Sequence, residues 1–382
     1  MKKALLFLLM IFLLLPALSI TAAAKEEAVD TEVVPTEYLD FLESLPKEIL
    51  DLLPDEIFSE NCKDLEGATQ SMSHFFYLLR IVLRFLGEDL SACISILASV
   101  CGLLLLSAIL RAFREGLRAD GIGRAFAFCS SLTLLCILIT KGMDCIHRVT
   151  AYFSTLNGVT AGLLPLMGVL YTAGGNLTAS AASSAGLSVY MSLLEELVGK
   201  SILPFCAVCL ILALINALDP NLKTGMLLST VKKNYTTLLT FLMMLLLAML
   251  SAQTLLGARS DTLIMRSAKF AAGNMIPVVG GSISELLRTV SAGVGYLRGT
   301  LGISAILLLL LLLLPMVVEL LLIRLTWQVT ASVAELLGCD NEKKLLEEFA
   351  SLCGYLLAAV CICSSVVLLA LTLLVRCASA IG

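Results

Sequence analysis

Charge is what this chain has least of. Only 15% of its 382 residues are Asp, Glu, Lys or Arg, and the formal net charge is −4. A water-soluble domain this poor in charge would expose large apolar patches, so a soluble globular protein is excluded. So is a nucleic-acid binder, because no basic helix or aromatic-studded basic strip occurs. Histidine is almost absent, with only His74 and His147. A structural zinc site needs four nitrogen or sulfur ligands in a closed shell. The Cys206–Cys209 CxxC has no histidine near it and lies in an uncharged stretch. The 13 cysteines fall mostly within or beside apolar runs, where cysteine acts as a small hydrophobe. There is no GxxxxGK[ST] nucleotide loop, no GxSxG elbow and no HExxH pair. The expectation is a protein that is not an enzyme and carries no metal or cofactor. Any ATP-driven motor it serves sits on another polypeptide.

What is present is apolar. Hydrophobic residues make up 59% of the chain, and mean hydropathy is +0.97. About 20 residues cross a bilayer as a helix. Uncharged runs at 90–110, 125–140, 201–218, 234–258, 299–318 and 349–375 each fit one span. The 46 residues of 149–194 are too many for one, and they contain Asn157, Gly158, Pro165, Gly174 and Gly175. A helical hairpin or re-entrant pair fits them better, its break buried in protein or facing water. The expected fold is an all-α polytopic membrane bundle of six firm spans plus this pair.

The first 24 residues have the plan of a secretory signal peptide. Lys2 and Lys3 precede an apolar core, Pro16 breaks it, and Ala22–Ala24 offer a small-residue exit. Residues 25–89 form an acidic extracytoplasmic segment. Its first part, 25–66, holds 14 acids against three cations. Within it, YLDFLESLPKEILDLLP (38–54) spaces Leu39, Leu42, Leu45, Ile49 and Leu52 for two short amphipathic helices. Their apolar face can lie against the membrane face of the same protein or dock an external partner. The membrane domain occupies 90–382.

Basic loops orient the bundle. With the mature start outside, Arg111, Arg114, Arg118 and Arg124 are cytoplasmic, and Lys223, Lys232 and Lys233 join them if 149–194 crosses an even number of times. Residues 259–298 then lie outside despite five cations, and 324–348 inside despite five acids, both against the rule.

Two stretches resemble each other: RVTAYFSTLNGVTAGLLPLMG (148–168) and RSAKFAAGNMIPVVGG (266–281). Each runs from a cation through an aromatic and small residues to Asn, Pro and Gly. They point to two parallel repeats, 125–218 and 234–323, each with a broken segment. Arg266, Lys269, Asn274, Pro277, Gly280 and Gly281, with Asn157 and Pro165, are the candidate broken-helix or core residues; an ordinary connecting loop is the other reading. Glu319, in LLPMVVELLLIR, is the candidate intramembrane charge. It either snorkels to the interface or faces the bundle.

On RSAKFAAGNMIPVVGG, LLPLMGVLYTAGG (163–175), TLIMRSAKF (262–270) and the LG…LLEEFA linker (337–350), the chain resembles the stage III sporulation protein AE family. The charged CDNEKKLLEE in that linker departs from the Gly/Pro-rich turn often found there. The resemblance implies a multipass component of a secretion-like channel complex in the mother-cell membrane around the forespore, required for late forespore gene expression. Its partners would be other membrane and ring-forming proteins of the same apparatus and a separate ATPase. A small-solute permease and a non-conducting scaffold are the competing readings.

Overall fold

The computed structural model describes residues 35–58 apart from 44, 67–72 apart from 70, 75–117, 120–173, 185–218 apart from 187, 190 and 194, 225–248 apart from 239, 242, 243, 246 and 247, and 280–379. For some helical residues, among them 280–300, it describes the backbone alone. Residues 1–24, expected to be a signal peptide, and residues 249–279 lie outside the described residues.

Every regular element described is helical. Two short helices, α1 (Thr36–Glu43) and α2 (Lys47–Leu50), and a 3-10 turn at Asp55–Phe58 precede the long ones. These are α3 (Phe75–Leu117), α4 (Asp120–Ala173), α5 (Lys200–Leu218, entered through a π turn at Glu195–Gly199), α6 (Gly280–Leu336) and α7 (Asp340–Ser379). A further helical stretch covers 225–238. At 1.5 Å per residue α4 is about 81 Å long and α6 about 86 Å, well over twice a hydrocarbon core. Among the described residues three helices are long and apolar enough to cross a membrane, at Phe76–Ile109, Leu301–Leu336 and Asp340–Ser365.

The expected span 125–140 and the first part of the expected pair 149–194 lie on one continuous helix, α4. Lys141, Asp144, His147 and Arg148 between them sit on the exposed side of α4 and do not form a loop. Helices are ended by caps and breakers, and 141–148 offers only Gly142, whose bare backbone is needed where α4 meets Phe349 of α7. The expected break at Asn157 and Pro165 is likewise absent: α4 runs through both. Pro165 is exposed and Asn157 half-buried. A proline forfeits one backbone hydrogen bond, which the flanking turns of a long packed helix tolerate. α4 and α5 pack against each other, and the connection between them, 174–184, lies outside the described residues. α3 runs unbroken across residue 89, where the outer segment was expected to give way to the membrane domain.

α6 and α7 form the central hairpin. Gly338 closes it with φ 69°, a left-handed conformation that glycine adopts without cost. The Gly338 and Cys339 amides donate to the carbonyls of Glu335 (3.0 Å) and Ala334 (2.8 Å), satisfying the end of α6 in a Schellman pattern. Asp340 and Glu342 in the first turn of α7 meet the positive end of its dipole.

Contacts fix the directions of the other helices. Cys93 of α3 reaches Thr326 of α6, and further along the thiol of Cys339 lies 3.9 Å from the Leu104 carbonyl; α3 is therefore parallel to α6. Arg148 of α4 meets Glu319, while Leu134 and Leu138 share a core cluster with Ala331, Ala334 and Cys339 beside the turn; α4 is antiparallel to α6.

The most apolar run of the chain is central. Leu301, Leu308 and Leu311 are fully inaccessible, and the leucines around them are buried on every side of the helix, as expected of a helix that is hydrophobic all round and enclosed by others. Part of its cover is the acidic segment. Tyr38, Phe41, Leu42, Ile49 and Ile57 are buried in the same cluster, with Asp40, Glu43 and Asp51 left exposed. The Tyr77 hydroxyl donates to the Leu52 carbonyl, tying the segment to α3. Burying each such side chain is worth about 1.5–3 kcal/mol before ordering costs. The apolar face of 38–54 is thus spent within the chain, which leaves only its acidic side for an external partner.

Candidate functional site

The polar groups gathered between the long helices are the candidate site. The first group joins α4 and α6: an Arg148 guanidinium nitrogen lies 2.5 Å from a Glu319 carboxylate oxygen. Glu319 faces the bundle, its side chain only 15% exposed, and Arg148 reaches in from a position 55% exposed. Asp89 and Cys93 of α3 are close enough to act electrostatically on the same pair. Three helices therefore converge on two carboxylates and one guanidinium.

A second group joins 225–238 to α7. Lys232 is buried, pairs with Glu348, and donates to the Ser351 hydroxyl at 3.2 Å. Its ammonium stands 5.9 Å from the centre of the Tyr355 ring, within cation–π range. Tyr235 one turn later stacks on Phe205 of α5 at 3.9 Å, and its hydroxyl is 3.1 Å from that of Ser201.

A third group surrounds the α6–α7 turn. Ser107 of α3 donates to the buried Glu342 at 3.2 Å. Lys343 bridges Glu335 at 2.9 Å and Glu347 at 3.8 Å. Nearby, Trp327 and Phe349 meet edge to face with centroids 5.3 Å apart.

Of the residues singled out in the sequence, Arg266, Lys269, Asn274 and Pro277 lie outside the described residues. Gly280 and Gly281 form the first turn of α6, at the end away from Gly338. Asn157 and Pro165 lie on α4 and are not brought together with Glu319. Lys232, Glu348, Ser107 and Glu342 were not singled out. Their partners are 116 and 235 residues away, and no local spacing reports such a contact. The signal that was available is the isolation of Lys232 and Lys233 just before 25 uncharged residues.

Among the described residues no group of three or more His, Cys, Asp or Glu is placed to hold a metal ion. Cys206 and Cys209 are both buried. Cys206 lies with Cys145 and Cys353 around a small cavity lined otherwise by apolar side chains and Gly142. The polar groups pair with one another across helices. What the arrangement can do is lock helices in register and hold charge at membrane depth.

The stage III sporulation protein AE family matches the chain over residues 58–378. The chain belongs to that family. The match spans α3 to α7, ending one residue before the end of α7, and begins within the acidic segment. A relative named stage III sporulation protein AE, from Bacillus subtilis (strain 168), is 20% identical over 297 residues, covering 78% of this chain and 74% of the relative. No solved structure matches. Membership gives the chain a role in sporulation, and the helices at Phe76–Ile109, Leu301–Leu336 and Asp340–Ser365 give it the character of a membrane protein.

Proposed function

We propose that this chain is a membrane-embedded, non-enzymatic component of a channel or secretion-like complex linking mother cell and forespore, held in the mother-cell membrane that surrounds the forespore. One observation carries the reading: the acidic segment is packed at one end of the bundle, and the α6–α7 turn with its mixed charges forms the other. The acidic segment, with exposed Asp40, Glu43 and Asp51, packs beside the Leu301 end of α6. Arg111 and Arg114 at the end of α3, and Lys343 and Lys344, lie at the Gly338 end, where Glu335, Asp340 and Glu342 stand among them. Cations favour the cytoplasmic side, so the acidic end points away from the mother-cell cytoplasm, toward the forespore. Helices of about 60–86 Å are long enough to span the bilayer and project beyond it. With no nucleotide loop in the chain, energy comes from a separate ATPase, and ring-forming proteins of the same apparatus complete the passage.

The reading is tested by deleting the gene in the source organism. Engulfment should finish, late forespore reporters should stay off, and heat-resistant spores should fall by several orders of magnitude. Normal late expression and normal spore counts would overturn it. Loss of one solute's uptake with intact sporulation would instead favour a permease.

A further inference from the structure

At one depth of the bundle the surface changes character around its circumference. Two contacts fix that depth: Ser107 donates to Glu342, and the Cys339 thiol lies by the Leu104 carbonyl. The α6–α7 turn therefore stands beside residues 104–107 of α3. There α3 turns Leu105, Leu106 and Ile109 outward, each about half exposed at 50%, 52% and 53%, and Ile94 lies outward three turns earlier at 55%. These residues belong to the uncharged stretch between Asp89 and Arg111. At 1.5 Å per residue that stretch is about 33 Å long, the thickness of a bilayer's hydrocarbon core.

The same depth carries charge elsewhere. Glu335, with its side chain 63% exposed, and Glu347, 56% exposed, share Lys343 at the turn. Glu347 is nine residues along α7 from Gly338, about 14 Å deeper into the bundle. The headgroup level at Arg111 is therefore well behind it. Lys233 is exposed beside Lys232, which pairs with Glu348. On α4, Lys141 and Asp144 are exposed where Gly142 abuts Phe349. Each ionised group placed against acyl chains costs several kcal/mol, whereas water solvates all of them.

We infer that the bundle is two-faced within the membrane: the outer face of α3 contacts lipid acyl chains, and the charged patch of Glu335, Glu347, Lys233, Lys141 and Asp144 borders an aqueous space at the same depth. This deepens the conduit reading by naming its water-facing surface. The two are separable, because the surfaces can be read in a chain that conducts nothing.

The test uses the full chain in liposomes. Trp327 is the sole tryptophan and is buried at 1% exposure, so neither a lipid-borne nor an aqueous quencher should reach it. In a Trp327→Phe background, Ile94→Trp and Leu105→Trp should each lose at least half their fluorescence to phospholipids brominated in the acyl chain and be little affected by acrylamide. Glu347→Trp and Lys233→Trp should behave the opposite way. If Trp327→Phe lowers the yield, the native residue stays and the difference signal is read. Equal bromolipid quenching of Leu105→Trp and Glu347→Trp, or acrylamide quenching of both, would overturn the inference.

Discussion

Arg148 of α4 and Glu319 of α6 form an ion pair at 2.5 Å between helices that are far apart in sequence. A charge-assisted contact of this kind is worth at most about 1.5–3 kcal/mol, reduced here because Arg148 is more than half exposed. Glu319→Gln should leave membrane insertion intact and lower spore yield. Arg148→Glu and Glu319→Arg should each be worse, and the double swap should recover most of the loss. Heat-resistant spore counts check this; failure of the swap to recover anything would show that the pair does not act as a pair.

Lys232 is the most buried cation described, with its side chain 7% exposed against Glu348. Removing one partner of a buried pair leaves an uncompensated charge and costs about 3–5 kcal/mol, while replacing both with apolar groups is often neutral. Glu348→Ala should lower the thermal midpoint of the detergent-solubilised protein sharply. Lys232→Met with Glu348→Leu should return it to near the wild-type value.

Gly142 is where α4 comes closest to α7. A Cβ there would collide with the ring of Phe349, and overpacking of this kind costs about 1–3 kcal/mol. Gly142→Ala should destabilise the bundle, and Phe349→Leu in the same chain should relieve part of the effect. Additive losses in thermal unfolding would contradict that contact.

Burial pushes the Tyr38 phenol up to about 12, with Ser304 beside it pulling the other way. The docked segment favours the neutral phenol, and the undocked one ionises at its ordinary value near 10. The stabilisation is fully present below pH 10 and is lost as pH rises toward 12. Protease cleavage within 36–57 should accelerate over that range. Tyr38→Phe should flatten the profile, and Tyr38→Asp should leave the segment open to cleavage at neutral pH.

Hydropathy and helical spacing made the class and the amphipathic face of 38–54 legible, because burial of apolar groups is a property of single segments. Where helices end was less legible. Lys141, Asp144, His147 and Arg148 read as a loop between spans, yet a helix longer than the bilayer accommodates them on its exposed side. Pro165 read as a break for a similar reason: a lost hydrogen bond weakens a helix without ending it. Glu319 stood out as a charge in an apolar run, but its partner did not. Arg148 looked like the edge of the next span, and only the antiparallel packing of α4 on α6 joins the two. The pairs Lys232–Glu348 and Ser107–Glu342 depend wholly on tertiary approach.

The orientation of the bundle is the central claim on which the conduit reading turns, and reporter fusions measure it directly. Alkaline phosphatase, active outside the cytoplasm, and a fluorescent protein, active inside it, would be fused after Arg124, Lys233, Ser282 and Glu342. Fluorescence is expected at Arg124 and Glu342, both at the Gly338 end, and at Lys233 on the same side of the membrane, with phosphatase activity at Ser282, at the start of α6. A fusion at Glu342 reporting from the opposite side to Arg124, or a fluorescent fusion at Ser282, would contradict that orientation.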